Sequence, residues 1–311
     1  MTNVRGAPVW RDYLLLVSLA MMFGFSFTLT RVAVQDIPPL SIAAGRLLLA
    51  FVMLYPLMRL FGQRMPAPGR IWIIIVAAGF FGNALPFSLI SWGQVSVEAG
   101  LTSIFMAVMP LVTILMAHVF THDEKLTRWK LIGVLFGLAG VVVLMGMSAL
   151  DALGDELFRQ GAILISAVSY AVNALLTRRL THLPRWSAMT ALMFASTVML
   201  LPFALLFDTP WELQPSWQSL SSLVALAIGP TVLATVMILV IITRQGASFL
   251  SLINFMVPVF GMLAGVLLLG EQLPANAYVA LLIILLGVAV SRLGTPAGSG
   301  RSPATVPPDS R

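Results

Sequence analysis

The sequence predicts an all-α integral membrane protein with ten transmembrane helices arranged as two inverted five-helix repeats. Three observations predict this fold class: the composition, the spacing of long apolar runs, and a passage that occurs twice. Of the 311 residues, 59% are hydrophobic and 10% are charged, whereas a soluble domain has roughly 25% charged residues. Apolar runs of about 20 residues, long enough to cross the hydrocarbon core of a bilayer, follow one another along the chain.

Charged residues, prolines and glycines divide the apolar sequence into ten candidate spans. We number them from the amino end, and they cover residues 13–34, 40–61, 71–92, 99–120, 129–147, 161–180, 186–207, 220–242, 247–269 and 275–293. The continuous apolar character of these runs favours helices, because the strands of a membrane barrel alternate apolar and polar residues over about 10 positions.

The positively charged residues indicate the direction of the spans. Of the 18 Lys and Arg residues, 15 fall on one side of the predicted membrane, Arg31 and Arg159 fall on the other, and Arg46 lies inside span 2. Cytoplasmic loops carry the excess of such residues, so both termini are predicted to be cytoplasmic, in the inner membrane of a bacterial cell. The net charge of +6 therefore indicates topology, and no nucleic-acid partner is expected.

The passage SIFMAVMPLVTILMAHVFTHDEKL, residues 103–126, returns as SLINFMVPVFGMLAGVLLLGEQL, residues 251–273, with Pro110 matched to Pro258. The period is about 147 residues, or five spans. Because five is odd, the second copy enters the membrane from the opposite face, and a two-fold axis in the membrane plane relates the two halves. Such inverted repeats are typical of secondary transporters, which hold their substrate near the middle of the bilayer.

The repeat also sets the predicted domain boundaries. A cytoplasmic amino-terminal segment, 1–12, precedes the first repeat, 13–147, and an extracytoplasmic linker, 148–160, leads to the second repeat, 161–293. The remaining segment, 294–311, is rich in Pro, Gly and Ser and is predicted to be a disordered cytoplasmic tail.

Three passages carry a resemblance to a known family: FGFSFTLTRVAVQDIPPLSIAAGRLLLA, GLTSIFMAVMPLVTILMAHVFTHDEKLTRWKLIGVLFGLAGVVVLMG and GASFLSLINFMVPVFGMLAGVLLLGEQL. In their order, spacing and repetition, the chain resembles the EamA-type carriers of the drug/metabolite transporter superfamily from residue 13 to residue 293. The resemblance implies ten helices in two inverted repeats and the export of small metabolites, with amino-acid exporters among the known members.

Polar residues halfway along apolar spans are the candidates for substrate binding, because such groups persist in lipid only where they line a cavity or find partners. The candidates are Ser26, Asn83, Met106, Tyr170, Asn173, Thr231 and Asn254. The alternative is that the amides only form hydrogen bonds between helices. Four prolines near the same depth remove backbone hydrogen bonds and are predicted to act as hinges or gates, or only to shape the cavity: Pro86, Pro110, Pro230 and Pro258.

Arg46 lies six positions into span 2, or about 9 Å at 1.5 Å of rise per residue. A cation at this depth is a candidate partner for a substrate carboxylate. Its long side chain also allows the alternative that the guanidinium extends to the headgroups and has a structural role.

Several other chemistries are not supported by the sequence. The chain has no GxxxxGK[ST] phosphate loop and no cysteine, so ATP hydrolysis and thiol chemistry are excluded within this chain. His118 and His122 have the i, i+4 spacing of a metal pair, but they fall at a predicted cytoplasmic helix end, where solvated side chains are expected and no metal site is predicted. An intramembrane hydrolase would need a Ser–His or paired-Asp site at depth, and no span centre supplies one.

The sequence therefore predicts a secondary carrier, not an enzyme, that exports small metabolites, with amino acids as the first candidate. Efflux of drugs or nucleosides is the second interpretation, and an intramembrane hydrolase is the third. We expect no cofactor. The expected partners are a small-molecule substrate and the lipid bilayer, and the chain is expected to be a monomer or a homodimer.

Overall fold

A computed structural model describes residues 8–120, 126–145 and 155–293, and within these ranges every regular element is a helix. Nine helices in the described ranges are long and apolar enough to cross a membrane: Trp10–Ala33, Pro39–Leu60, Ile71–Gly93, Ala99–Phe120, Arg128–Met145, Glu156–Leu180, Arg185–Phe207, Trp217–Arg244 and Ala275–Arg292. A shorter apolar helix, Ile253–Leu269, lies at predicted span 9. In the ranges that the structure describes, the prediction of an all-helical fold with many candidate membrane spans is thereby confirmed.

The helix of span 6 begins earlier than predicted. It starts at Asp155 instead of residue 161, so part of the predicted linker is helical. The sequence reading excluded Asp155 and Glu156 from the span because they are charged, but acidic residues in a first helical turn are stabilised by the helix dipole. The rest of the linker lies outside the described residues, as do His122, most of the segment 1–12 and the tail predicted to be disordered.

Spans 4 and 9 were predicted as continuous helices, and each is interrupted. In span 4 the helix Ala99–Met106 ends two residues before Met109–Phe120 begins. Pro110 has no N–H to offer the carbonyl of Met106, four residues earlier, and the first helix ends at that residue. In span 9 a turn at residues 251–252 separates Ala247–Leu250 from Ile253–Leu269. The helix then continues through Pro258, so the break in this span lies one to two turns before the proline.

Spans 3 and 8 each contain a π-helical segment beside a proline. Phe80–Ala84 precedes Pro86 in span 3, and Ile228–Leu233 contains Pro230 in span 8. Wide turns of this kind interrupt α-helices frequently at functional sites. The two segments begin 148 residues apart in number, at 80 and 228, close to the sequence repeat of about 147.

Spans 5 and 10 pack against each other through glycines. A Cβ atom placed on Gly133 would lie 2.5 Å from the carbonyl oxygen of Gly287, and one placed on Gly287 would lie 2.7 Å from the carbonyl oxygen of Gly133. The two backbones therefore touch, which is the kind of close approach that glycine permits in membrane helices.

At one end of the bundle, hydrogen bonds between side chains and backbone groups connect the loop after span 9 to span 4, and span 1 to the end of span 3. The carboxylate of Glu271 accepts the N–H groups of Ala99 and Gly100 at 2.6 and 2.8 Å. The side-chain amide of Gln94, fully buried, donates to the carbonyl of Phe27 at 3.0 Å. Arg31 donates to the carbonyl oxygens of Gln94 and Val95. This end is the one that the count of Lys and Arg predicts to be extracytoplasmic.

We predict that Gly133→Ala lowers the midpoint of thermal unfolding in detergent, because the new methyl group meets backbone that cannot move aside without separating spans 5 and 10. Overpacking of this kind costs about 1–3 kcal/mol. Gly161→Ala is the matched control, since a Cβ on that helical glycine meets nothing within 4 Å and the change should be neutral or stabilising. Equal midpoints for the two variants would contradict the close packing.

Candidate functional site

A cavity of about 340 Å³ lies in the middle of the bundle. Among the described residues, its wall is built by every span except 5 and 10, so it is shared by both halves of the chain. Seven of the eight predicted substrate residues and three of the four predicted hinge prolines line it: Ser26, Arg46, Asn83, Met106, Tyr170, Thr231, Asn254, Pro110, Pro230 and Pro258. Sequence positions far apart in number are thus brought to one place.

Arg46 is 9% exposed and points into the bundle. Its Nε donates a 2.7 Å hydrogen bond to the Oγ1 of Thr231 on span 8. Its guanidinium carbon lies 3.9 Å from the centre of the Phe87 ring on span 3, a desolvated cation–π contact worth about 2 kcal/mol. The alternative in which Arg46 extends to the headgroups does not describe this structure, because two side chains inside the bundle hold the guanidinium.

Arg46 has no carboxylate partner among the described residues, whereas Arg244 pairs with Asp12. The described residues that line the cavity also include no Asp or Glu. An unpaired charge removed from water costs several kcal/mol, and only part of that cost is offset by a hydroxyl and an aromatic face. The cavity is therefore a place where an anion gains free energy by binding.

The proline of span 8 explains why Thr231 is fixed in position. Pro230 cannot donate to the carbonyl of Leu226, four residues earlier, and the hydroxyl of Thr231 donates to that carbonyl instead at 2.8 Å. The Oγ1 lone pairs of Thr231 remain free to accept from Arg46. The hydroxyl of Thr231 thus donates a hydrogen bond to the carbonyl of Leu226 and accepts one that orients Arg46.

The polar residues of span 3 and span 7 form a second fixed group. The side-chain nitrogen of Asn83 donates to the Oγ of Ser196 at 3.2 Å, and that hydroxyl donates to the carbonyls of Leu192 and Gly79. The amide oxygen of Asn83 has no partner among the described residues and lies at the cavity wall. It can accept a hydrogen bond from a ligand.

Tyr170 and Asn254 offer groups that no neighbour uses within the described ranges. Neither the hydroxyl of Tyr170 nor the side-chain amide of Asn254 has a hydrogen bond there, and both residues line the cavity. Ser26 is partly occupied, because its hydroxyl donates to the carbonyl of Phe23 at 2.6 Å. Met106 packs beside Phe27 and contributes apolar surface.

Two predicted residues do not line the cavity. Asn173 lies behind its wall, against Gly82: a Cβ on that glycine would be 2.5 Å from the Cγ of Asn173. Its amide oxygen is buried and has no partner among the described residues. Pro86 is buried beside span 6, where its carbonyl accepts a 3.5 Å hydrogen bond from Ser166. In both cases a residue at the right depth faces a neighbouring helix instead of the cavity.

The sequence reading missed Phe87, which supplies the aromatic face under Arg46. The residue belongs to the passage GNALPF, residues 82–87, and follows Asn83 by one helical turn, so the helical period alone could have placed it on the same face. The apolar wall also includes Phe23, Met109 and Met193.

The histidines lie away from this cavity. His118 and His182 are exposed, and the Nδ1 of His118 accepts the N–H of Leu126 at 3.1 Å. In the described part of the chain no group of three or more His, Cys, Asp or Glu residues is arranged to hold a metal ion.

Comparison with known proteins agrees with this architecture. The profile of the EamA-like transporter family matches the chain twice, over residues 10–146 and 160–293. A solved crystal structure superposes with a TM-score of 0.66 at 20% sequence identity, covering 91% of this chain and 98% of that one, which shows a common fold.

The chain is also similar to several curated bacterial transporters. It is 24% identical to the uncharacterized transporter YoaV of Bacillus subtilis, over 88% of this chain and 94% of that protein. It is 24% identical to the uncharacterized inner membrane transporter YedA of Escherichia coli K12, over 90% of each. It is 25% identical to a protein of Salmonella typhimurium named a probable amino-acid metabolite efflux pump, over 91% of this chain and 95% of that protein. The resemblance seen in the sequence is confirmed: the chain is a multi-pass membrane protein that belongs to the EamA-like transporter family.

Proposed function

We propose that this chain is a secondary transporter that exports small metabolites bearing a carboxylate, amino acids first among them, across the inner membrane. The observation that carries the proposal is the guanidinium of Arg46, which is buried at a cavity shared by both halves and has no carboxylate partner among the described residues. Several neutral polar groups of the wall also lack partners, but Arg46 is the one charged group there, and it lacks a counter-ion among the described residues. A carboxylate fits that place with charge-assisted hydrogen bonds.

The proposed mechanism is alternating access between two inverted five-helix repeats. Two matches to one family profile, at residues 10–146 and 160–293, support the repeat. So do the π-helical segments at equivalent positions of spans 3 and 8, and the interrupted helices of spans 4 and 9. In this scheme the interrupted and proline-containing spans bend while spans 5 and 10, packed on glycine, hold the two halves together. Both termini are then cytoplasmic.

The name of the Salmonella relative, a probable amino-acid metabolite efflux pump, supports export and an amino-acid-like substrate. The side-chain amide of Asn254 and the hydroxyl of Tyr170 supply donors and acceptors in the wall of the same cavity, and the methionines and phenylalanines of the wall suit an apolar side chain. A small carboxylic acid would thus be held at its charged end by Arg46 and at its other end by apolar surface.

The two alternatives fit the cavity less well. A cationic drug would be repelled by Arg46, and the described lining residues include no Asp or Glu to attract it. An uncharged nucleoside would leave the guanidinium unpaired. A hydrolase needs a general base beside its nucleophile, whereas the described serines of the wall have no histidine, aspartate or glutamate among the other lining residues.

We expect Arg46→Gln to lower the uptake of an amino acid such as leucine into proteoliposomes by about 10- to 100-fold, because hydrogen bonds to charged groups contribute about 1.5–3 kcal/mol. Thr231→Val retains the charge but loses the bond that orients it, so a smaller loss is expected. Arg70→Gln, which removes an exposed arginine from a loop, is the matched control. Wild-type uptake by a folded, monodisperse Arg46→Gln protein would refute the role of Arg46.

The absence of cysteine from the chain allows a direct test of the inverted topology. Gly69 and Gln214 are exposed residues in the loops after spans 2 and 7, which are equivalent positions of the two repeats. A membrane-impermeant maleimide should label Gln214→Cys in intact cells and Gly69→Cys only after permeabilisation. Labelling of both variants under the same condition would show that the halves run in the same direction.

A further inference from the structure

We propose that the cavity selects by net charge: it binds carboxylates whose α-amino group is absent or acylated more tightly than the parent zwitterionic amino acids. The inference rests on the proposed function, since it refines the substrate class of the same site: among carboxylates, it ranks those without a free ammonium group above the amino acids. It follows from the charges that the described cavity wall contains and from those that it lacks.

The wall carries one positive charge and, among its described residues, no negative one. Arg46 is the one Lys or Arg in the lining, and neither Asp nor Glu accompanies it. A monocarboxylate therefore neutralises the cavity on binding. A zwitterion adds no net charge, so the occupied cavity keeps an excess positive charge away from bulk water, where charge is poorly solvated.

The α-ammonium of an amino acid would also need a replacement for its shell of water. The acceptors of the described wall that have no hydrogen bond are neutral dipoles, and they include the amide oxygens of Asn83 and Asn254 and the hydroxyl of Tyr170. The ring of Phe87 is already covered by the guanidinium of Arg46 at 3.9 Å. The ammonium would share the cavity with that guanidinium and be repelled by it.

An acylated amino group is uncharged and requires only ordinary hydrogen-bond donors and acceptors, which the wall contains. A secondary amide has one N–H and one carbonyl oxygen, and the side chain of Asn254 can both accept and donate a hydrogen bond. The hydroxyl of Tyr170 can serve the same carbonyl. A 2-oxo acid requires only donors beside its keto oxygen, which the same two residues also offer. Each uncharged polar atom of these ligands thus has a neutral hydrogen-bonding partner in the wall. Only the carboxylate is placed at the positive charge of Arg46.

The size of the cavity permits either kind of ligand. At about 340 Å³ it falls within the range of about 300–1,000 Å³ found for small-molecule sites. Phe23, Phe27 and Met106 provide apolar wall for a branched aliphatic side chain. The volume of the cavity therefore does not discriminate between an amino acid and its acylated derivative. Their difference in net charge does.

Four probes that share one isobutyl side chain test the inference: leucine, N-acetylleucine, 4-methyl-2-oxopentanoate and leucinamide. At neutral pH the first is zwitterionic, the next two are anions, and the last is a cation without a carboxylate. Dissociation constants are measured by titration calorimetry on the purified full-length protein in detergent at low ionic strength, where charge effects are least screened. We expect both anions to bind at least tenfold more tightly than leucine, and leucinamide to bind more weakly than leucine.

Arg46→Lys and Arg46→Gln complete the design. The lysine variant keeps the charge and should keep the order of the probes at lower affinity, whereas the glutamine variant should bring leucine and N-acetylleucine within about threefold of each other. If Arg46→Gln does not fold, Thr231→Val serves in its place, and the advantage of the anions should then shrink. The unfolding midpoint of each variant without ligand separates loss of fold from loss of binding.

The possible outcomes test the charge selection separately from the proposed function as a carboxylate carrier. Leucine binding as tightly as N-acetylleucine, with both dependent on Arg46, overturns the charge selection and leaves the carboxylate carrier standing. Tightest binding of leucinamide overturns both. Binding of none of the four probes to the wild-type protein, or binding that does not depend on Arg46, also counts against both.

Discussion

A buried guanidinium that is held by a hydroxyl and an aromatic ring, without a carboxylate partner among the described residues, is the constraint on which the rest of the site depends. Arg46 donates to Thr231 on one side and lies over Phe87 on the other. These contacts fix its direction but leave its charge uncompensated. A counter-charge from within the described wall would have made the cavity neutral and removed the basis for the anion preference that we propose.

The two contacts of Arg46 arise from irregular helices. Thr231 follows Pro230 in the π-helical segment of span 8 and uses its own hydrogen to satisfy the carbonyl that the proline leaves free. Phe87 follows the π-helical segment of span 3. A π-helical turn contains more residues than an α-helical turn. If both segments were regular α-helices, Thr231 and Phe87 would therefore point in different directions around their helix axes. The prolines therefore affect the chemistry of the cavity indirectly, through the side chains whose direction they set.

Glycine has the opposite role at the periphery. Gly133 and Gly287 bring the backbones of spans 5 and 10 into direct contact, and among the described residues neither span contributes to the cavity wall. The molecule thus combines a tightly packed pair of helices with a set of interrupted ones around the cavity. In the proposed mechanism that division separates the part that holds the halves together from the part that moves.

The helices were predictable from the sequence because the bilayer imposes one length and one polarity on every span, and the observed ends differ from the predicted ones by a few residues, six at the start of span 6. The candidate site was also largely predictable, since a polar side chain at mid-depth has few stable places. The sequence could not show which of these side chains point into the cavity and which point toward a neighbouring helix. Asn173 and Pro86 have the right depth but face other helices.

The most direct test of the account is the distance between a bound carboxylate and Arg46. Solid-state NMR on the protein in lipid bilayers can measure it, with a ¹³C-carboxylate label on N-acetylleucine and ¹⁵N labels on arginine, and Arg46→Lys identifies the signal of this one residue. The account predicts a carbon–nitrogen distance of about 4 Å or less, as in an ion pair. A bound ligand whose carboxylate shows no coupling to Arg46, or the same coupling in Arg46→Lys, would contradict it.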